Sequence, residues 1–260
     1  MARNGSGAFP NGGHALLAAM DVSAFRFAPL LPAKTCLSLL DLRLLAPLLA
    51  QEEPLELLTS WLSANEARFL AGLTYPKRRV EWLGGRLAAK HGLSRLTAAH
   101  SSTPYRDYSL LPDAHGRPVL DSPLPFGDSL HVSISHSKHY AAALVTTAPV
   151  CGLDIQEKTA RLVAVQERIT TADERALASA IPDPPTRLAL LWTVKEAVKK
   201  GCLADHPSFF GAIRVIDLDH DPLATFWTAR CLVRDEGVVL ARIIEFDNYL
   251  LAWVIGADHA

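Results

Sequence analysis

The sequence predicts an α+β protein made of two similar α/β lobes related by a pseudo-twofold duplication. A helical unit that occurs twice carries this reading. Ala64–Gly92 and Ala172–Gly201 match at an offset of 108 residues, Glu66 with Glu174, Phe69 with Leu177, Pro76 with Pro184 and Arg79 with Arg187. After one inserted residue, Ala88 aligns with Ala197, Lys90 with Lys199 and Gly92 with Gly201. Each unit reads cap, short helix, proline turn, long helix, glycine stop. The second observation is that strand-like runs flank both units, which gives each half its own sheet.

Taken in order, Met1–Gly13 is a Gly/Asn-rich tail expected to be disordered. Ala15–Met20 and Leu55–Leu58 read as short strands, and Ala33–Ala50 as helix, although its leucines keep no clean period. Ser63 is an N-cap with Glu66 three residues on, a capping box. Pro76 opens a helix over Lys77–Lys90 that is expected to end near Gly92. Ser101–Asp128, rich in Pro, Asp and Ser, reads as a long surface loop between the lobes. The expected division is a first lobe over 14–128, including that loop, and a second over 129–257.

In the second half, Leu130–Ser135, Tyr140–Thr146 and Cys151–Ile155 are strands, with a helix centred on Arg161–Arg168. Leu190–Gly201 is a helix, because good helix formers run up to a terminal glycine. Four further strands follow, Ile213–Leu218, Thr225–Val233, Val238–Phe246 and Tyr249–Ile255, with a hairpin turn at Arg234–Gly237.

Composition bounds the function. The 260 residues, 49% hydrophobic and 20% charged, describe a globular chain with room for a sizeable core. A net charge of −1 gives no global attraction to nucleic acid or to acidic membranes. The leucine-rich stretch Leu37–Ala50 is interrupted by Asp41, Arg43 and Pro47 and is not a membrane span. Cys36, Cys151, Cys202 and Cys231 are scattered with no CxxC pair, so they read as small buried side chains in a reducing compartment, and the expected location is cytoplasmic.

Two stretches carry chemistry. In LLWTVKEAVKKG, Trp192, Glu196, Lys199 and Lys200 fall on one helical stripe. That stripe is either a metal-and-phosphate site or a solvated, salt-bridged surface. In LHVSISHSKHYAAALVTTAPVCGLDIQ, Asp154 sits inside an apolar strand, where a carboxylate needs a partner, unless it caps the strand end. His136 between Ser135 and Ser137 is, on its own, a packed or hydrogen-bonded structural residue.

GLDIQ, ISHS and WTVKEAVKKG in that order and spacing, with AHGRPVL upstream and EARFLAGLTYPKRRVEWLGGRLAAK before it, resemble the 4′-phosphopantetheinyl transferases of the two-lobed monomeric, surfactin-synthetase-activating type. The resemblance is firm over about Leu55–Leu203. It implies an active site at the interface of the lobes and transfer of the 4′-phosphopantetheine group of coenzyme A to a serine of an apo acyl or peptidyl carrier protein. It further implies Mg²⁺ as cofactor, coenzyme A as co-substrate and release of adenosine 3′,5′-bisphosphate. Neither a nucleic acid nor a membrane is implied as partner, and the two lobes in one chain imply a monomer. The carriers of fatty acid, polyketide and nonribosomal peptide synthesis all fit this chemistry.

Residue by residue, the resemblance assigns the metal to Asp154, Gln156 and Glu196, with catalysis by Asp154, Glu196 and Lys200. Many relatives carry glutamate where this chain has Gln156, a neutral and weaker oxygen donor. Phosphate and nucleotide contacts fall to His136 with Ser135 and Ser137, to Arg117 in GRP, to Lys200, and to at least one of Arg78 and Arg79. Arg78, Arg79, Arg86 and Lys90 would form a basic helix surface. Lys199 would face solvent or the carrier, and Lys195 has two readings, a phosphate contact and a surface salt bridge. Two alternatives stay open, a coenzyme A and carrier-binding module with weakened catalysis, favoured by Gln156, and a Mg²⁺-dependent phosphohydrolase.

Overall fold

The computed structural model describes residues 31–50, 60–98, 103–124, 127–203, 211–221 and 226–256. The expected tail at Met1–Gly13 and strands at Ala15–Met20 and Leu55–Leu58 lie outside them.

The first lobe runs β1 (Thr35–Asp41), α1 (Leu42–Leu49), α2 (Ala64–Ala71), α3 (Pro76–Thr97), β2 (Ser109–Pro112), β3 (Pro118–Asp121), β4 (His131–Ser137) and β5 (Tyr140–Thr146). The second repeats the plan: β6 (Cys151–Glu157), α4 (Gln166–Ile169), α5 (Ala172–Leu177), α6 (Pro184–Cys202), β7 (Ile213–Asp221), β8 (Phe226–Val233), β9 (Gly237–Phe246) and β10 (Tyr249–Ile255). The sheet order β1-β5-β4 matches β6-β10-β9, and the β2-β3 hairpin matches β7-β8, which in the second lobe is fused to the sheet. The duplication is therefore written in the strand order as well as in the helices. Even the strand ends correspond. Asp41 pairs with Tyr140 in β1/β5 and Glu157 with Tyr249 in β6/β10, and the two tyrosines meet edge to face at 5.0 Å.

Each long helix packs on its own sheet, and the opposite faces of the two sheets meet. Leu37, Leu39, Ala142 and Leu144 of the first lobe bury against Leu153, Ile155, Leu251 and Trp253 of the second. The central strands β5 and β10 are thus apolar on both faces, one turned to a helix and one to the other lobe.

Five expectations are corrected. The boundary does not fall at 128/129, because β4 and β5 hydrogen-bond into the sheet of β1, so the first lobe extends to Thr146. The stretch 101–128 is more than a loop, since it contains the β2-β3 hairpin. Ala33–Ala50 is a strand and then a helix, and the switch is at Asp41, whose side chain accepts from Arg43 N as the N-cap of α1. Helix α3 continues past Gly92 to Thr97, because Gly92 lies against Val145 and Ser38 at a spot where a side chain would not fit. The expected helix at 161–168 is a 3₁₀ segment, Ala160–Val165, followed by the single turn of α4.

Matching buried ion pairs fix the two helical units. Ser63/Glu66 and Thr171/Glu174 form equivalent capping boxes. Each glutamate then takes a lysine from the long helix, Lys90 Nζ on Glu66 at 2.5 Å and Lys195 Nζ on Glu174 at 2.7 Å. Each also accepts a strand amide, from Leu110 in β2 and Val215 in β7. The structural counterpart of Lys90 is therefore Lys195, one helical turn before the expected Lys199.

Cys151 and Cys231 are buried, and burial pushes both thiols up to about 12. Alkylation of the native protein at neutral pH is expected to leave both unmodified, as read by mass after tryptic digestion. Rapid modification of either without unfolding would contradict their placement.

Candidate active site

Strand β6 and helix α6 lie unusually close. A Cβ on Gly152 would stand 2.0 Å from Ala197 O and 2.7 Å from Gly201 N, so only glycine fits between strand and helix. This close approach brings α6 over Asp154, two residues along the same face of β6. Gly152→Ala is expected to cost about 1–3 kcal/mol, since backbone atoms cannot step aside as side chains do. It should also part Lys200 from Asp154, so activity falls more than stability in a paired melting and turnover measurement. An unchanged melting temperature would refute the contact.

Asp154 is 6% exposed. Its Oδ1 accepts from Ser135 Oγ and from Lys200 Nζ, each at 2.7 Å, and its Oδ2 is buried with no hydrogen-bond partner. Glu196, one turn before Lys200, has its carboxyl pushed above the usual range, first by burial and then by the charge of Asp154, with Lys200 and Lys199 opposing. Gln156 gives its amide to the backbone oxygen of Glu157 at 3.0 Å. Among the described residues no three His, Cys, Asp or Glu side chains are gathered to hold a metal ion, and the site offers two carboxylates and an amide.

A cleft of about 670 Å³ opens beside this group. It is lined by Glu196, Lys199 and Lys200 of α6, by Ser133 and Ile134 of β4, and by the turn between β2 and β3 with Arg117 and Pro118. Gly116 at φ +84° makes that turn, and Asp113 holds Arg117 through Nε at 2.7 Å. Arg117 thus faces the same space as Glu196 and Lys200, from a distant part of the sequence. Its ion pair is half-exposed, so it orients the guanidinium more than it stabilises the fold.

His136 is half-exposed, with Nδ1 3.8 Å from Glu81 Oε1. Burial lowers its basicity, the neighbouring Glu81 charge opposes this, and Lys200 adds to the lowering. Glu81, which the sequence reading passed over, also lines a second cleft of about 550 Å³ between α1, the start of α3 and the β4–β5 turn. Arg79 lies on that second cleft and Arg78 is exposed, so neither joins the wall carrying Glu196.

Three site expectations are overturned. Lys195 is neither a phosphate contact nor a surface salt bridge, being 1% exposed and bound to Glu174 and Ile169 O. Arg86 and Lys90 do not belong to a basic surface. Lys90 is fully buried, and Arg86 stacks on Trp82 at 4.4 Å and donates to Leu110 O, its burial lowering the guanidinium to about 10. The Ser135 hydroxyl, expected on a phosphate, is held by Asp154 and Ile155 N. Gly152 was visible in GLDIQ, and a glycine inside an apolar strand is itself the mark of a close backbone approach.

Comparison with known proteins divides the chain at the same point. The model of the 4′-phosphopantetheinyl transferase N-terminal domain matches residues 66–146, and that of the 4′-phosphopantetheinyl transferase superfamily matches residues 150–253. A holo-[acyl-carrier-protein] synthase of Bacillus pumilus is 37% identical over 86 residues, 32% of this chain and 70% of that protein. Another, of Exiguobacterium sibiricum, is 42% identical over 71 residues, 26% of this chain and 54% of that protein, so the match spans about half of its length. A solved holo-(acyl-carrier-protein) synthase from Bacillus anthracis in complex with CoA (3′,5′-ADP) is 26% identical, covers 43% of this chain and 91% of its own, and has a TM-score of 0.36. With both lobes matched in order and their junction falling between β5 and β6, the chain belongs to the 4′-phosphopantetheinyl transferase superfamily.

Proposed function

We propose that the protein transfers the 4′-phosphopantetheine group of coenzyme A to a serine hydroxyl of an apo carrier protein, releasing adenosine 3′,5′-bisphosphate. The observation that carries this reading is that Glu196 and Lys200 of α6 and Arg117 of the β2-β3 turn line one cleft, and that Lys200 is bound to the buried Asp154 of β6. The relatives named as holo-[acyl-carrier-protein] synthases add the class of acceptor.

The donor set fits a hard divalent cation such as Mg²⁺. Asp154 Oδ2 is a buried carboxylate oxygen without a partner, and Glu196 stands near enough to feel the Asp154 charge. Asp154 and Glu196 would hold the ion, with the Gln156 carbonyl as a weaker third donor. When bound, it supplies positive charge for the diphosphate and lowers the proton affinity of the carboxylates.

The remaining chemistry belongs to the side chains. The carrier serine oxygen forms a bond to the β-phosphorus of coenzyme A while the bond from that phosphorus to the bridging diphosphate oxygen breaks, and the leaving group departs with the electron pair. Glu196, which lines the cleft beside Lys200, takes the serine proton as general base. Lys200 offsets charge on the transferred phosphate, and Arg117, which lines the same cleft, holds the nucleotide end. No nucleophile of the protein's own is needed.

The test is the intact mass of an apo carrier domain after incubation with this protein, coenzyme A and Mg²⁺. A gain of one phosphopantetheine per carrier, absent when the metal is chelated, is the expected result. Binding of coenzyme A with no gain across fatty acid, polyketide and peptide carriers would favour the second reading, a binding module weakened at Gln156, whose neutral amide is a poorer metal donor than a carboxylate.

A further inference from the structure

Strand β6 is the edge of its sheet and β4 the edge of the other, and no main-chain ladder joins them. Side chains make the seam. Ser133 Oγ accepts from Leu153 N at 3.0 Å, Ser135 Oγ from Ile155 N at 3.3 Å and Ser137 Oγ from Glu157 N at 3.0 Å. The serines stand at every second position of β4 and the amides at every second position of β6, so the strand period of two keeps three bonds in step. The middle serine does more. Its own proton goes to Asp154 Oδ1 at 2.7 Å, and its side chain is buried at the seam.

We propose that Ser135 is a positioning residue for the carboxylate site, through which strand β4 of the first lobe sets where the second lobe's Asp154 stands. The proposal rests on the metal-dependent reading given above. Asp154 Oδ1 is held by a donor on each side, and the two donors differ in stiffness. Lys200 reaches it with a long, half-exposed side chain. The Ser135 hydroxyl is short, fixed on a strand, and locked by the amide of Ile155. A carboxylate held this way keeps one orientation, with Oδ2 buried and without a hydrogen-bond partner. Without the hydroxyl, Lys200 alone orients Asp154, and the unpartnered oxygen is no longer preorganised. The first lobe thus contributes no ligand of its own and still fixes the geometry of the ligand set.

The test is direct Mn²⁺ binding to the full chain, followed by electron paramagnetic resonance with coenzyme A and carrier absent. Ser135→Ala is expected to weaken Mn²⁺ by about 10–100-fold, whereas Ser133→Ala and Ser137→Ala change it by less than about twofold while lowering Tm to a similar degree. Ser135→Thr, which keeps the hydroxyl, should bind like the unaltered protein. If Ser135→Ala does not fold, Ser135→Cys, of the same shape and a weak donor, carries the comparison. Unchanged Mn²⁺ affinity at position 135, equal weakening by all three alanines, or no Mn²⁺ uptake by the unaltered protein overturns the proposal. Transfer to a carrier is measured alongside. Transfer with no Ser135 effect overturns this inference alone, and a Ser135 effect without transfer upholds it and overturns the proposed activity.

Discussion

Lys195→Met is expected to destabilise the protein by about 3–5 kcal/mol, because it strands the Glu174 carboxylate in the core without its cation. The methionine fills much of the lysine stem, so the loss is electrostatic more than a matter of volume. Glu174 is 1% exposed, caps α5 through Thr171 and holds β7 through Val215 N, so it cannot turn outward to water without breaking both. Urea unfolding checks the magnitude. Lys195→Met with Glu174→Gln should recover part of the loss, since a neutral amide costs less to bury than a lone carboxylate. A loss below about 1 kcal/mol, the range of surface pairs, would return Lys195 to the surface. Reduced kcat with unchanged stability would instead return it to the phosphates.

The other large effect is on turnover. Asp154→Ala is expected to lower kcat/KM for carrier modification by roughly 10³-fold, the scale of removing one group that stabilises charge in a transition state. The substitution also frees Lys200 and Ser135 from their shared acceptor, so a structural loss could mimic a catalytic one. Asp154→Asn separates the two. It preserves an oxygen for Ser135 and Lys200 while removing the charge, and it should be as inactive as the alanine variant with a smaller change in Tm. An asparagine variant within about tenfold of the unaltered enzyme would show that the charge of Asp154 is not what the reaction uses, since an order of magnitude is only 1.4 kcal/mol of barrier.

Much of the fold was legible because its signals are local. The Ser63–Glu66 cap, the proline at the start of α3 and the strands β4 to β6 each announce themselves within a few residues. The run CLSLLDLRLLAPLL did not, because β1 is apolar in sequence neighbours on either face and a strand buried on both sides has no alternation to distinguish it from a helix. Asp41, read as an interruption, is the cap at which one becomes the other.

The site was legible to a different depth. Asp154 demanded a partner from its setting alone, and the helix stripe named Glu196 and Lys200. Lys195 and Lys200 stand in the same string of charges, yet one is sealed in the core and the other opens on the cleft. Only the position of Glu174, 21 residues upstream, tells them apart, and a partner at that distance is a property of the fold. The same holds for Ser135, whose acceptor comes from the other lobe.

The serine seam also covers two strand edges that would otherwise be open to pairing. β4 and β6 are both terminal strands of their sheets, and such strands offer rows of donors and acceptors on which a second molecule can build. Here two of the four margins of the larger sheets, β4 and β6, face one another, and hydroxyls occupy the amides that a foreign strand would seek. Neither half carries its own protection. A lobe expressed by itself, though matched by its own family description, would present a bare margin next to the apolar face that its sister normally covers. Joining the halves in one polypeptide keeps each margin within reach of the partner that covers it, so the duplication closes two strand edges as well as forming a cleft.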